Sequence, residues 1–186
     1  MRYFNLLLIC LLVSGGLLAQ EQKTTKETKK EASARKKAEQ AAKTDSLFKM
    51  TDSLLAGKQF VLEAKFLRNS KGTRITATTN LNFISVDSVD GVIQIGSAQW
   101  AGYNGVGGIT EQGKISNWKV DRNDKKKNFY VTWTIQTKYT VLDISMSVNY
   151  EGYSSATLNG MKSGSLTFEG NLSPTEKSSM FKGLSR

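Results

Sequence analysis

The chain has 186 residues, with 26 lysines and arginines, 16 aspartates and glutamates, one cysteine and no histidine. That length suits a single domain, and a hydrophobic share of 39% is enough for one core. Without histidine there is no imidazole base or imidazole metal ligand, and one thiol allows neither an internal disulfide nor a thiolate cluster.

Residues 1–19 read as a signal peptide. A single base, Arg2, precedes an apolar run from Leu6 to Val13, and small residues follow. Leu17-Leu18-Ala19 forms a cleavage site before Gln20. The run is too short for a membrane span. Cys10 is followed by more apolar residues and preceded by Ile9, so it reads as part of the signal and not as a lipid-bearing cysteine. The expected mature protein is exported, periplasmic or extracellular, soluble, free of thiols and without a stable transmembrane segment. Removing residues 1–19 takes away one base and no acid, so the formal charge of +10 becomes +9. A basic exported chain can meet a glycan, a lipid or an envelope protein. Nucleic acid is not expected outside the cytoplasm.

Residues 20–43 are charged and of low complexity, rich in Lys, Glu and Ala, and have nothing large and apolar to dock them. They read as a solvated spacer, disordered or a frayed helix. Residues 44–57 differ. "TDSL" occurs at Thr44 and again at Thr51, placing Leu47, Met50 and Leu54 on one helical face, widened by Phe48 and Leu55. Gly57 ends the expected amphipathic helix.

From residue 58 to 173 the hydrophobic period is two. "QFVLEAKFL" places Phe60, Leu62, Ala64 and Phe66 on one face. "NFYVTWTIQT" places Phe129, Val131, Trp133 and Ile135 inward, and "VLDISMSVNY" does so with Leu142, Ile144, Met146, Val148 and Tyr150. "SLTFEGNL" follows with Leu166, Phe168 and Leu172. Such alternation belongs to antiparallel strands with one buried face. Weaker strands are expected over residues 74–86, with a bulge near Phe83, and over 92–96, 114–122 and 155–159. Asp90-Gly91, "RNDKKKN", "EGY" and Asn159-Gly160 mark turns. The fold class is all-β: an antiparallel meander of about eight or nine strands, curled into a barrel or sandwich, with a helix before it and a tail over residues 174–186.

The order of "FVLEA", "GVGGI", "GKISNWKV" and "GSLTFEGNL" resembles the domain of unknown function family 4251, found mainly in exported proteins of the Bacteroidetes group. The resemblance covers about Phe60 to Leu172. It implies export and an all-β domain, and brings no assigned activity and no catalytic residues.

"AQWAGYNGVGGITEQGK", residues 98–114, is the segment with most to offer. It is no dinucleotide fingerprint, because Thr110 stands where a third glycine would follow Gly105 and Gly107, and a strand follows instead of a helix. Gly113-Lys114-Ile115 does not complete a P-loop. Gly102, Gly105, Gly107 and Gly108 let the backbone turn or approach closely. Trp100 and Tyr103 offer π-faces to a sugar or apolar ligand. Glu111 and Lys114 are expected to be solvated. The candidate ligand-binding residues are Trp100, Tyr103, Gly105, Gly107 and Gly108.

Catalysis lacks parts. No GxSxG elbow occurs, and Asp87, Asp90, Asp121, Asp124, Asp143 and Glu169 fall in turns or on wet faces. A calcium shared by Asp87 and Asp90 matches no EF-hand spacing. No catalytic residues, no metal and no cofactor are expected. The leading expectation is an exported, envelope-associated binding or scaffolding module. The alternative is a carrier enclosing an apolar small molecule in a barrel, with a hydrolase third. A scaffold would fill the interior with Phe60, Phe66, Phe129, Trp133, Met146 and Phe168; a carrier would leave a lined cavity.

Overall fold

A computed structural model describes residues 4–96, 108–161 and 164–181, with only the helical backbone for residues 4–27. The chain divides into two units, Met1–Lys43 and Thr44–Arg186. One helix, α1, spans Phe4–Gly57. In the first unit the described side chains, from Thr28 to Lys43, are all exposed. Among the described residues no helix is long and apolar enough to cross a membrane.

The second unit begins with the end of α1 and continues into nine strands: β1 (Gln59–Asn69), β2 (Arg74–Thr76), β3 (Phe83–Asp87), β4 (Asp90–Ile95), β5 (Ile109–Asn123), β6 (Asn128–Thr137), β7 (Val141–Asn149), β8 (Tyr153–Asn159) and β9 (Leu166–Pro174). All pairings are antiparallel, and each strand from β3 to β9 pairs with the next in sequence. Strand β1 takes β3 on one side and β9 on the other, which closes β1 and β3–β9 into an eight-stranded barrel. The short β2 continues beside β1 beyond the end of β3.

Alternation places the core. Phe129, Val131, Trp133 and Ile135 of β6 are buried, and their partners on β7, Leu142, Ile144, Met146 and Val148, are buried with them. Phe60, Leu62, Ile84, Val86 and Phe168 complete the interior. Trp118 joins from β5, its ring 5.3 Å from that of Trp133 and 6.2 Å from that of Phe60.

One end of the barrel is plugged by the last turns of α1. Phe48 is buried and stacks on Phe129 with ring centroids 4.7 Å apart. The other side of Phe48 meets cations, Arg122 at 4.8 Å and Lys127 at 5.0 Å from its ring centroid. These two cations also pair with Asp52 and Asp45 on the helix. The Thr51 hydroxyl donates to the Tyr150 carbonyl at 3.2 Å. The docked face is therefore Phe48, Thr51 and Leu55: Phe48 and Leu55 belong to the expected face, whereas Met50, also expected there, is 57% exposed. Ring stacking and the Thr51 hydrogen bond set this face, and neither is visible to a count of apolar residues.

Three further expectations are corrected. The alternation of β1 slips between Ala64 and Phe66, so Leu67 is buried while Phe66 leaves the core and packs under the Arg74 guanidinium at 3.5 Å. An extra residue in one strand reverses every later side chain. Residues 74–86 form two strands, not one bulged strand, because a turn at Thr78–Asn82 intervenes. Finally, residues 109–113, expected to be loop, are the start of β5.

After β9 the chain lies against the outside of the barrel. Glu63 accepts hydrogen bonds from the Ser178 hydroxyl at 2.8 Å and the Ser179 backbone N–H at 2.9 Å. Phe181 is held by N–H donation to the Asn80 carbonyl at 2.8 Å. On this side Val61, Phe83 and Gln94 are fully buried although they lie outside the interior cluster.

Trp133→Ala is expected to cost about 3–5 kcal/mol, the usual loss for a large buried aromatic. Thr132→Ala, on the opposite face, is expected to cost less than about 1 kcal/mol. Urea denaturation of both variants checks this; similar small losses would place Trp133 outside the core.

Candidate functional site

Among the described residues, the end of the barrel away from the helix plug is open. The end of β4, the start of β5, the β6–β7 turn, the start of β7 and the end of β8 surround a cavity of about 600 Å³. Its wall is Ile93, Ile95, Ile109, Leu142, Leu158 and Met161. Tyr139, Thr140 and Gly160 complete the lining from the turns. The volume lies within the range of small-molecule sites, about 300–1,000 Å³.

Each wall residue is there because of strand period. Ile93 and Glu111 are direct cross-strand partners, as are Ile95 and Ile109, so all four project to the same side of the β4–β5 ladder. Glu111 thus enters the cavity lining, half-buried among aliphatic side chains. Water reaches it through the mouth, so the expectation of a solvated carboxylate is refined to one solvated from the cavity side. Lys114 does lie in solvent, 72% exposed and paired with Asp90 at 2.7 Å.

Two glycines hold the rim by close approach. A Cβ on Gly108 would lie 1.9 Å from the Ile95 carbonyl oxygen. Only glycine lets β5 begin that tightly against β4. Gly160 has φ +97°, and a Cβ there would lie 2.3 Å from the Val141 carbonyl oxygen. The β6–β7 turn is tied internally: the Thr137 hydroxyl accepts from the N–H groups of Tyr139 and Thr140 at 3.2 and 3.1 Å.

Behind the rim lies a layer of buried amides. Asn82 is 2% exposed; its side-chain N–H donates to the Thr78 and Gly96 carbonyls at 3.0 and 3.1 Å, and its oxygen accepts from the Gly96 N–H at 3.0 Å. Gln94 donates to the Leu81 and Phe181 carbonyls at 3.2 and 2.7 Å and accepts from the Thr110 hydroxyl at 3.3 Å. The chain therefore leaves β4 from a clamped Gly96 and re-enters the barrel at Gly108. Of the expected ligand residues, Gly108 is at the rim in a structural role. Trp100, Tyr103, Gly105 and Gly107 lie outside the described residues.

A family model described as "Domain of unknown function (DUF4251)" matches residues 42–172. The chain belongs to this family. The crystal structure of a DUF4251 family protein from Bacteroides eggerthii is similar, with a TM-score of 0.59 and 27% identity over 72% of this chain and 91% of that one. No curated protein matches the chain. The matched stretch starts at residue 42, so it includes the helix turns that plug the barrel as well as the strands. The DUF4251 segment "FVLEA" acquires a physical role here: Phe60, Leu62 and Ala64 face the core while Glu63 holds the C-terminal segment.

The acids of this DUF4251 barrel do not converge. Glu169 binds Arg68 and Arg74 at 2.9 and 2.7 Å, Asp121 pairs with Lys119, and Asp124 with Arg122. Asp143 accepts from the Thr134 hydroxyl at 2.8 Å. Among the described residues no group of three or more potential metal ligands gathers at one point. Sequence reading missed Glu111, Asn82 and Gln94. A carboxylate at an apolar-phase position of a strand was the available signal for Glu111; the amides gave none, since their partners are backbone atoms distant in the chain.

Asn82→Ala leaves the Gly96 N–H and carbonyl without their side-chain partner and is expected to destabilise the domain by about 1–3 kcal/mol. Equilibrium urea unfolding measures it; an unchanged midpoint would mean that the clamp contributes nothing.

Proposed function

We propose that this chain is an exported β-barrel module that binds a small, largely apolar molecule in its open end and performs no chemistry on it. The observation that carries the reading is the contrast between the two ends. One end is packed solid by Phe48, Phe129, Trp118 and Trp133, whereas the other keeps an aliphatic cavity of about 600 Å³. Natural interiors close-pack wherever side chains allow, and cavities of this size with apolar walls and few polar groups are the ordinary form of ligand sites. The scaffold alternative needs a filled interior, and the open end favours the carrier. The apolar run and small residues of positions 1–19 support export, which would make the ligand a molecule of the envelope or the medium.

The test is titration with the neutral apolar dye N-phenyl-1-naphthylamine. Saturable binding is expected for the wild type. Ile109→Trp, a substitution at the half-buried rim, should fill the mouth and weaken binding by about tenfold or more while the melting temperature stays close to that of the wild type. Absence of saturable binding to the folded wild type would overturn the reading.

Trp100→Ala examines the aromatic segment separately. It is expected to leave the fold intact and weaken binding on a glycan or lipid array, because a platform residue contributes contact area more than core packing. Thermal melting distinguishes the cases: a variant that unfolds marks Trp100 as core, and the aromatic-platform reading then fails.

A further inference from the structure

We propose that the barrel mouth selects a cationic amphiphile, a small molecule with an apolar body and a protonated amine whose charge is taken by Glu111. The inference rests on the cavity being a ligand site and adds the chemistry of the occupant.

The partly buried carboxylates of the barrel differ in what they are paired with. Asp52 pairs with Arg122, Asp90 with Lys114, and Glu169 with two arginines. Glu63 accepts hydrogen bonds from Ser178 and Ser179. Glu111 is the remaining partly buried acid, and no described residue donates a hydrogen bond or an ion pair to it. Its neighbours in the wall are Ile93, Ile95, Ile109 and Leu142, and among the described residues no lysine or arginine lines the cavity.

A carboxylate so placed depends on water entering from the mouth. An apolar occupant would strip that water away. If the occupant were neutral, the charge would be left desolvated and unpaired, and if it were anionic there would also be repulsion. A protonated amine would replace the lost water with a charge-assisted hydrogen bond in a setting of low dielectric. The Tyr139 ring, at the same mouth, offers a second cation-attracting surface. It already has Lys138 5.2 Å from its centroid.

Two features oppose a cation: Lys138 itself, and the formal charge of +10. Lys138 is exposed, so its charge acts through water and counts for little, and the more distant charges are screened beyond about 8 Å at physiological ionic strength. Long-range charge therefore favours an anion, while the wall of the cavity favours a cation. The two predictions have opposite signs, which makes the question decidable.

The experiment is calorimetric titration of the purified chain with octylamine, octanol and octanoate at neutral pH and physiological salt. Octylamine is protonated there, as a lysine amine is. Octylamine is expected to bind at least about tenfold more tightly than octanol, and octanoate more weakly than octanol. Glu111→Gln, close to isosteric, is expected to bring octylamine down to the octanol affinity and leave octanol unchanged. Should that variant lose octanol as well, its cavity has collapsed, and the wild-type ranking decides. Octanoate binding best, no preference for the amine, or a preference that survives Glu111→Gln would each overturn the inference while leaving the cavity a ligand site. Failure of all three probes to bind the folded wild type would overturn the cavity reading and the inference with it.

Discussion

The pairing of β1 with β9 is the constraint on which the rest of this structure depends. It runs from Phe60 opposite Pro174 to Asn69 opposite Leu166, joining the two ends of the sheet. Without it the meander would expose two edges, each a template for unwanted pairing. With it, Phe60 and Leu62 of β1 share one interior with Phe168 of β9, and every inward position from β3 to β8 is enclosed by the ring. The pairing is also long-range, so among the strand pairings it carries the largest loop-closure cost. Glu169 reinforces it from outside, binding Arg68 on β1 and Arg74 on β2. These are half-exposed cations, and such pairs contribute modestly to stability. Their effect is on register more than on free energy.

A closed barrel has two ends, and this chain treats them differently. At one end α1 supplies Phe48 and Leu55 as a stopper, and Arg122 and Lys127 close over the Phe48 ring. At the other end there is no helix among the described residues. The rim there is made of glycine close approaches and amide clamps, devices that fix backbone and fill no volume. An unfilled apolar space forfeits dispersion contacts. The aromatic packing at the plugged end is what allows the domain to carry that deficit.

Much of the fold was legible because the inward phase of β6 and β7 is unbroken. Phe129 to Ile135 and Leu142 to Val148 alternate without interruption, and both strands take the expected faces. Legibility fails wherever geometry departs from a strict period. The β1 bulge moves Phe66 out of the core, and the β5 irregularity between Ser116 and Lys119 brings Trp118 in. On the helix, Phe48 and Leu55 take the expected face, while Thr51 is buried with a hydrogen bond that no count of apolar residues reveals. The site was least legible. Aromatic and glycine content drew attention to residues 98–108, whereas the described cavity is built from aliphatic residues of four strands that are far apart in the chain. Only the closed topology assembles them.

Glu111 shows how a single strand position can carry more information than a motif. Had the strand period alone set its identity, an aliphatic residue would occupy that phase, as Ile93, Ile95 and Ile109 do around it. A carboxylate there keeps its solvation only through the mouth of the cavity. The remainder of the structure bears no sign of carelessness with charge: partly buried acids elsewhere in the barrel have partners, down to the Glu63 contact with the C-terminal segment. A local conflict of this kind, a carboxylate beside an apolar cavity, is where function is to be sought.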